Sequence, residues 1–306
     1  MRDAPTVVFG GTGFLGAALV RELVEADRPV RLVARRPRRP AWAEPGDPLE
    51  LATADLRREA EVAAALEGAG AVVNAVSLYV PTRRLSFEAI HVEGAGRLAR
   101  LAREAGIERL IQLSGIGADS TSPSAYVRAR ARGESAVLDA MPKAIIVRPS
   151  VLFGPDDAFL GTLARLTRLP AIPLFGRGET RLQPVHVVDV ARALAQLAGG
   201  PAPRRRLFEL GGGDVLRYRE ILELVMARLH RERPLVPVPF IAWRALARLL
   251  SPLPSPPLTR DQVILMARDN RVGEGVGTFA DLGLAPRSLR EALPACLPPA
   301  EDLRPS

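Results

Sequence analysis

Three glycines spaced three apart, Gly10, Gly13 and Gly16, stand between a strand-like run, Thr6-Val7-Val8-Phe9, and a segment with helical apolar spacing. In that segment Leu15, Leu19 and Leu23 recur on one face, with Val20 and Val24 beside them. No other feature constrains the chain as strongly. A buried strand that turns at once through Gly10-Gly11-Thr12-Gly13-Phe14-Leu15-Gly16 into an apolar-faced helix is the opening of a βαβ unit. Glycine lets backbone N–H groups approach a pyrophosphate closely, and the helix N-terminus adds partial positive charge. A plain glycine-rich turn is the bland alternative, and its position at the first strand–helix junction argues against it.

Further strands are predicted at Val30–Ala34, Leu49–Ala52, Ala71–Asn74, Arg109–Leu113 and Ala144–Val147, with helices between them, notably Phe87–Ala105 and Ala125–Met141. Strands separated by helices of this length need crossovers, so the expected class is α/β with a doubly wound parallel Rossmann sheet. The predicted core is residues 1–150, rejoined by a helix at Val187–Ala198 and a strand at Arg206–Leu210. Residues 151–186 and 211–306 are expected to form a smaller, loop- and helix-rich C-terminal lobe for substrate or partner. Prolines at Pro155, Pro170, Pro173 and Pro184 punctuate its first part, helices are predicted at Tyr218–His230, Phe240–Leu250 and Ser288–Leu297, and Ser251–Pro257 reads as a stiff spacer. Phe240, Trp243 and Leu246 form an apolar stripe that reads as core packing before it reads as a membrane contact.

Composition narrows the function classes. The single cysteine, Cys296, excludes an internal disulfide framework, and His91, His186 and His230 are not spaced as metal ligands. Net charge is +8, carried almost entirely by arginines scattered along the chain, with Lys143 the only lysine. Nucleic-acid binding would want clustered basic residues interleaved with aromatics, and aromatics are 5%. An acidic surface, whether lipid or protein, is the better electrostatic match, so peripheral membrane association stays open. No signal peptide or membrane-length apolar run is visible, and the expected location is cytoplasmic, with docking on the inner face of the cell membrane as a variant.

The end of the second predicted strand bears on cofactor choice. A carboxylate that would bond the adenosine ribose of NAD(H) is missing near Ala34, and Arg35-Arg36 follows instead. A guanidinium fork suits a 2′-phosphate, so NADP(H) is favoured over NAD(H), although these arginines also belong to an exposed arginine-rich loop. Asp55 reads equally as a helix N-cap before Arg57–Leu66.

The glycine loop, Asp55-Leu56 and Asn74-Ala75-Val76 together resemble the extended and atypical short-chain dehydrogenase/reductases. Later stretches narrow the likeness: Ser122 to Glu134, Val147 to Pro155, Arg181 to Val190, Asp261-Gln-Val and Ala280 to Leu289. They are similar to the nucleotide-binding accessory-subunit family of respiratory complex I and its epimerase/dehydratase-like bacterial relatives. The resemblance implies adenine contacts at Asp55 and Leu56, ribose contacts at Asn74, Ala75 and Val76, and nicotinamide contacts at Pro149 and Val151. It also implies a reactive Ser114, Tyr126 and a lysine one turn on, where this chain has Arg130. Tyrosine would move the proton, the cation would make the phenol more acidic and hold the ribose, and serine would orient the substrate oxygen. Arginine is not equivalent to lysine there, which puts turnover in doubt. Three functions follow: an NADP(H)-dependent oxidoreductase acting on a small carbonyl or quinone-related substrate, a catalytically silent accessory subunit of respiratory complex I, and a nucleotide-sugar epimerase/dehydratase. His91 replaces the family's usual asparagine and reads as a packing histidine, as does His186.

Overall fold

A computed structural model describes residues 4–82, 84–251, 253 and 256–298. Strand β1 (Thr6–Phe9) leads into α1 (Phe14–Glu25), followed by β2 (Val30–Ala34), β3 (Leu49–Thr53), α2 (Glu59–Leu66) and β4 (Ala71–Asn74). A π-helical stretch (Glu88–Gly94) continues into α3 (Ala95–Glu104), then come β5 (Leu110–Leu113), α4 (Ala125–Ala140) and β6 (Ile145–Pro149). The chain passes through β7 (Leu152–Phe153), α5 (Ala158–Leu166), β8 (Ile172–Phe175), β9 (Arg181–Leu182) and β10 (Val185–His186), and returns for α6 (Val187–Gly199) and β11 (Leu207–Leu210). It continues with β12 (Leu216–Arg217), α7 (Tyr218–Arg228), β13 (Leu235–Val238), α8 (Phe240–Leu250), α9 (Arg260–Leu265) and α10 (Leu289–Cys296).

The chain divides into two compact units: Met1–Pro149 with Val187–Leu210 and Glu274–Leu284, and Ser150–His186 with Gly211–Gly273 and Ala285–Ser306. The first unit holds a seven-stranded sheet in the order β11-β6-β5-β4-β1-β2-β3, parallel throughout. β1, β4 and β5 are buried at every position, as strands covered by helices on both faces must be. Val7, Phe9, Val33 and Val72 pack there with Leu66, Leu98 and Val137 from the helices. Strand order reverses between β1 and β4, so the loops leaving their carboxyl ends diverge and open a crevice.

Three departures from the sequence pattern have physical causes. The predicted helix from Phe87 is π-helical over Glu88–Gly94. There α4 comes so close that a Cβ on Gly133 would collide with the His91 carbonyl, and a widened turn accommodates the approach. Glu274–Leu284, expected in the C-terminal lobe, packs with the first unit, because Gly277 donates to the Leu207 carbonyl at 2.9 Å and accepts from Glu209 N at 2.8 Å. Helix α2 starts at Glu59 with Arg58 at its N-cap, which removes Asp55 from that role.

The second unit has its own core, with Phe153, Leu160, Ile172, Leu174, Ile221 and Leu222 buried together. On α8, Phe240 and Trp243 pack against Phe175, and the Trp243 indole donates to the Leu174 carbonyl at 2.9 Å. Leu246 is 40% exposed, so the stripe is only partly core. His186 is buried edge-on to Phe153, as a packing histidine should be. Within the predicted spacer Ser251–Pro257, residues 252, 254 and 255 lie outside the described residues. No helix among the described residues is long and apolar enough to cross a membrane.

Candidate nucleotide site

The glycine loop sits at the carboxyl end of β1, where the strand order reverses. Gly10 has φ +79°, a left-handed conformation that suits glycine, and a Cβ there would lie 2.9 Å from the Ala75 carbonyl carbon and Val76 N. Gly10 N and Gly11 N both donate to the Val33 carbonyl, at 2.9 and 3.2 Å, tying the loop to β2. Gly16 opens α1 so close to the Gly10 carbonyl that no Cβ fits. Gly13 caps α1 without a side-chain bond, and the first turn carries no acid, so the positive end of the helix is open to an anion. Leu15 is buried beneath the loop, whereas Thr12, Gly13 and Phe14 are exposed along it.

Asn74-Ala75-Val76 forms the opposing wall. Ala75 N donates to the Phe9 carbonyl at 2.9 Å. The buried Asn74 side chain donates to Gln112 Oε1 at 2.8 Å and accepts from Val76 N at 3.2 Å, which fixes the turn.

The β2 end carries the other expected determinant. A cavity of about 520 Å³ is lined by Thr12, Ala34, Arg35 and Arg36. Both arginines are exposed, and no hydrogen bond or ion pair engages either fork among the described residues. Asp55, at the adjacent end of β3, accepts three side-chain bonds from Arg57, the shortest at 2.6 Å, and one from Arg57 N at 3.0 Å. These bonds hold its carboxyl below the usual carboxylate range, with a smaller contribution from the Arg35 charge. Leu56 is buried in the core, and its carbonyl accepts from Arg97 at 2.8 Å.

Helix α4 supplies Tyr126 and Arg130. Ser124 caps it, accepting from Val127 N at 3.2 Å. Arg130 is buried, and its Nε and Nη2 donate to the Tyr126 hydroxyl at 3.2 and 3.1 Å. Nη1 donates to the Leu113 carbonyl at 3.0 Å and Nη2 to Ser77 Oγ at 2.6 Å. The Tyr126 ring is enclosed by Tyr79 (5.8 Å, stacked), Phe87 (5.6 Å, edge-on) and His91 (5.8 Å, edge-on). His91 is buried, its Nε2 lies 2.9 Å from the Leu78 carbonyl, and burial, aided by the Arg130 charge, lowers its pKa to about 4. It is therefore neutral at physiological pH, a packing residue in this wall.

Ser114 leaves β5 with its N–H on the Val147 carbonyl at 2.8 Å, and its buried Oγ has no hydrogen-bond partner among the described residues. Pro149, at the end of β6, accepts from Ile116 N at 3.2 Å, securing the loop that carries Ser114. Val151 falls in the second unit, where its N–H meets Asn270 Oδ1 at 3.2 Å. Sequence reasoning missed Ser77, Tyr79 and Arg57. The first two follow directly on Asn74-Ala75-Val76 in a loop leaving the crevice, which was the available signal. The glycine cradle, the helix end without a side-chain cap and the arginine-lined cavity all fit a dinucleotide.

Comparison with known proteins agrees. Residues 6–211 match the family model described as the NAD dependent epimerase/dehydratase family. The mitochondrial NADH dehydrogenase [ubiquinone] 1 alpha subcomplex subunit 9 of Arabidopsis thaliana is 35% identical over 300 residues, covering 92% of this chain and 74% of that protein. A ceramide reductase of Caulobacter vibrioides is 34% identical over 196 residues, 63% of this chain and 61% of its own. A nucleoside-diphosphate-sugar epimerase from Staphylococcus aureus shares the fold, with TM-score 0.73 at 13% identity over 95% of this chain and 99% of the other. The expectation of a cytoplasmic or cell-membrane location is overturned, because the relatives bearing the subunit 9 name are mitochondrial. That expectation leaned on how the chain begins, which carries no information about compartment. Loop, crevice and sequence likeness converge: the chain belongs to the NAD dependent epimerase/dehydratase family, as an NAD(P)-binding atypical short-chain dehydrogenase/reductase similar to the accessory subunits of respiratory complex I.

Proposed function

We propose that this chain holds NADP(H) as a resident nucleotide, with little or no turnover, in an assembly of the respiratory complex I type. The observation that carries the reading is the engagement of Arg130. Its four hydrogen bonds run to Tyr126, Leu113 and Ser77, so all three guanidinium nitrogens are engaged. Two N–H groups converge on the phenol oxygen and orient it. The hydroxyl proton can still be given outward, but the guanidinium cannot resupply it, because arginine does not deprotonate in proteins. A lysine ammonium at this position shifts its pKa readily and could take part in proton return.

A bound nicotinamide would supply hydride chemistry. The residues proposed to hold the nucleotide are the backbone of Gly10 to Gly16 at the pyrophosphate, Asn74 to Val76 at the ribose, and Arg35 and Arg36 at a 2′-phosphate. The relatives named as complex I subunits span most of their own length in the match, which supports the assembly.

A second reading, an NADPH-dependent carbonyl reductase, is favoured by the buried, unpartnered Ser114 hydroxyl, which could bond a substrate oxygen, and by the ceramide reductase likeness. The test is to purify the protein, identify released nucleotide, and follow NADPH oxidation with aldehydes, ketones and quinones. Stoichiometric NADP(H) without multiple turnovers, and emergence of turnover in Arg130→Lys, support holding. Steady parental turnover that Tyr126→Phe abolishes overturns it in favour of the reductase.

A further inference from the structure

Asp55 poses an electrostatic problem for a phosphate at the adenosine end. β2 and β3 run parallel with Ala34 opposite Thr53, so Arg35 and Asp55 leave neighbouring strand ends on the same edge of the crevice. A free carboxylate there would oppose a phosphomonoester, which carries about −1.5 to −2 charge at neutral pH. This carboxylate is not free. Arg57 folds back two residues and grips both its oxygens, Nη2 to Oδ2 at 2.6 Å and Nε to Oδ1 at 3.0 Å, while Arg57 N caps Oδ1. Its Nη1 also donates to the Arg84 carbonyl at 3.2 Å, which anchors the guanidinium from the far side. The Asp55 side chain is only 12% exposed, so solvent screens it poorly.

We infer that Arg57 is a specificity-determining residue: by neutralising Asp55 it removes a negative charge that would oppose a phosphate held by Arg35 and Arg36, and so selects the 2′-phosphorylated nucleotide. Arg57 acts through Asp55 and is a positioning and charge-compensating residue, touching no reacting atom. The inference rests on the NADP(H) reading above, and it assigns discrimination partly to a residue outside the arginine pair that lines the cavity.

The experiment measures NADPH and NADH affinity by titration of nucleotide-free full-length protein, first on the parent. Arg57→Gln exposes the Asp55 charge and should weaken NADPH by about tenfold while leaving NADH within about twofold. Asp55→Asn combined with Arg57→Gln should restore most of the NADPH affinity, an outcome that a merely structural role for the ion pair would not produce. Arg103→Gln removes the same formal charge from an exposed position in the last turn of α3, outside this loop, and should change NADPH binding by less than about twofold. Far-ultraviolet circular dichroism of each variant checks folding, and if Arg57→Gln does not fold, Arg57→Lys, which keeps the charge but loses the bidentate grip, takes its place with a smaller loss in the same direction. A parent without NADPH preference sinks the cofactor reading. A parent that prefers NADPH, and keeps that preference undiminished in Arg57→Gln, sinks this inference alone.

Discussion

Replacing Arg35 and Arg36 together by glutamine tests the NADP(H) reading most directly. Hydrogen bonds to charged groups contribute about 1.5–3 kcal/mol when sheltered from water. Both side chains are exposed, and screening in open solvent brings each contact to about 1 kcal/mol. The double variant should therefore lose about 2 kcal/mol of NADPH affinity, roughly thirtyfold, with NADH affinity nearly unchanged. Neither fork is engaged elsewhere among the described residues, so no ion pair is broken and stability should hold within about 0.5 kcal/mol, as for most surface substitutions. Isothermal titration at low and at high salt supplies both numbers. The parental preference should shrink as salt rises, since the Debye length falls from about 10 Å at 0.1 M to about 3 Å at 1 M. An NADPH-to-NADH ratio identical in parent and double variant would refute the reasoning, whatever the absolute affinities.

Three further outcomes are expected. Gly16→Val places a side chain where the Gly10 carbonyl sits, so it should abolish nucleotide binding while spectroscopy of the folded variant keeps its helix content. Arg148 bridges two buried carboxylates, Glu134 at 2.6 Å and Glu209 at 3.3 Å, and Arg148→Met should cost about 3–5 kcal/mol in denaturant unfolding at pH 8, because it removes the bidentate cation from the buried Glu134 carboxylate. His91 is neutral in the fold with a pKa of about 4, so the unfolded chain binds the extra proton first, and stability should decline as pH falls from about 6.5 towards 4, a slope that His91→Gln should flatten.

Much of this was legible in the residues. β-branched runs flanked by apolar-faced helices define β1, β2 and β4 to the residue, and the glycine triad could hardly sit anywhere but the first crossover. Tyr126 and Arg130 needed only helical spacing to be paired. What fixes Arg130 was hidden, because Ser77 lies 53 residues away and the Leu113 carbonyl 17, brought together only by adjacent parallel strands. In a chain so rich in arginine, Arg57 had no mark to separate it from its neighbours, and its meaning appears only once its fork is seen on Asp55. The π-helical stretch had no signal in periodicity, because its cause is a glycine on another helix.

The fixed fork and the arginine-lined cavity have a joint consequence for stability. A net reductase must exchange its spent nucleotide for a fresh one each cycle, so its affinity is limited by the need to let go; a site that keeps one resident nucleotide is free of that limit. A nucleotide present at 1,000 times its dissociation constant stabilises the native state by about 4 kcal/mol. Single domains have a total of only about 5–15 kcal/mol. The loops that would grip the nucleotide leave β1, β2 and β4, three adjacent central strands, so its binding would tie together the part of the sheet where the strand order reverses. Tyr126 can persist beside an arginine that cannot recycle its proton, because its hydrogen bond to Arg130 and its ring contacts with Tyr79, Phe87 and His91 hold it whether or not it ever transfers a proton. Removal of the nucleotide should therefore lower the unfolding temperature of the first unit more than that of the second, and hydrogen exchange resolved by segment would register the difference at Gly10 to Gly16 and at Ala75 to Ser77 before anywhere in α7 or α10.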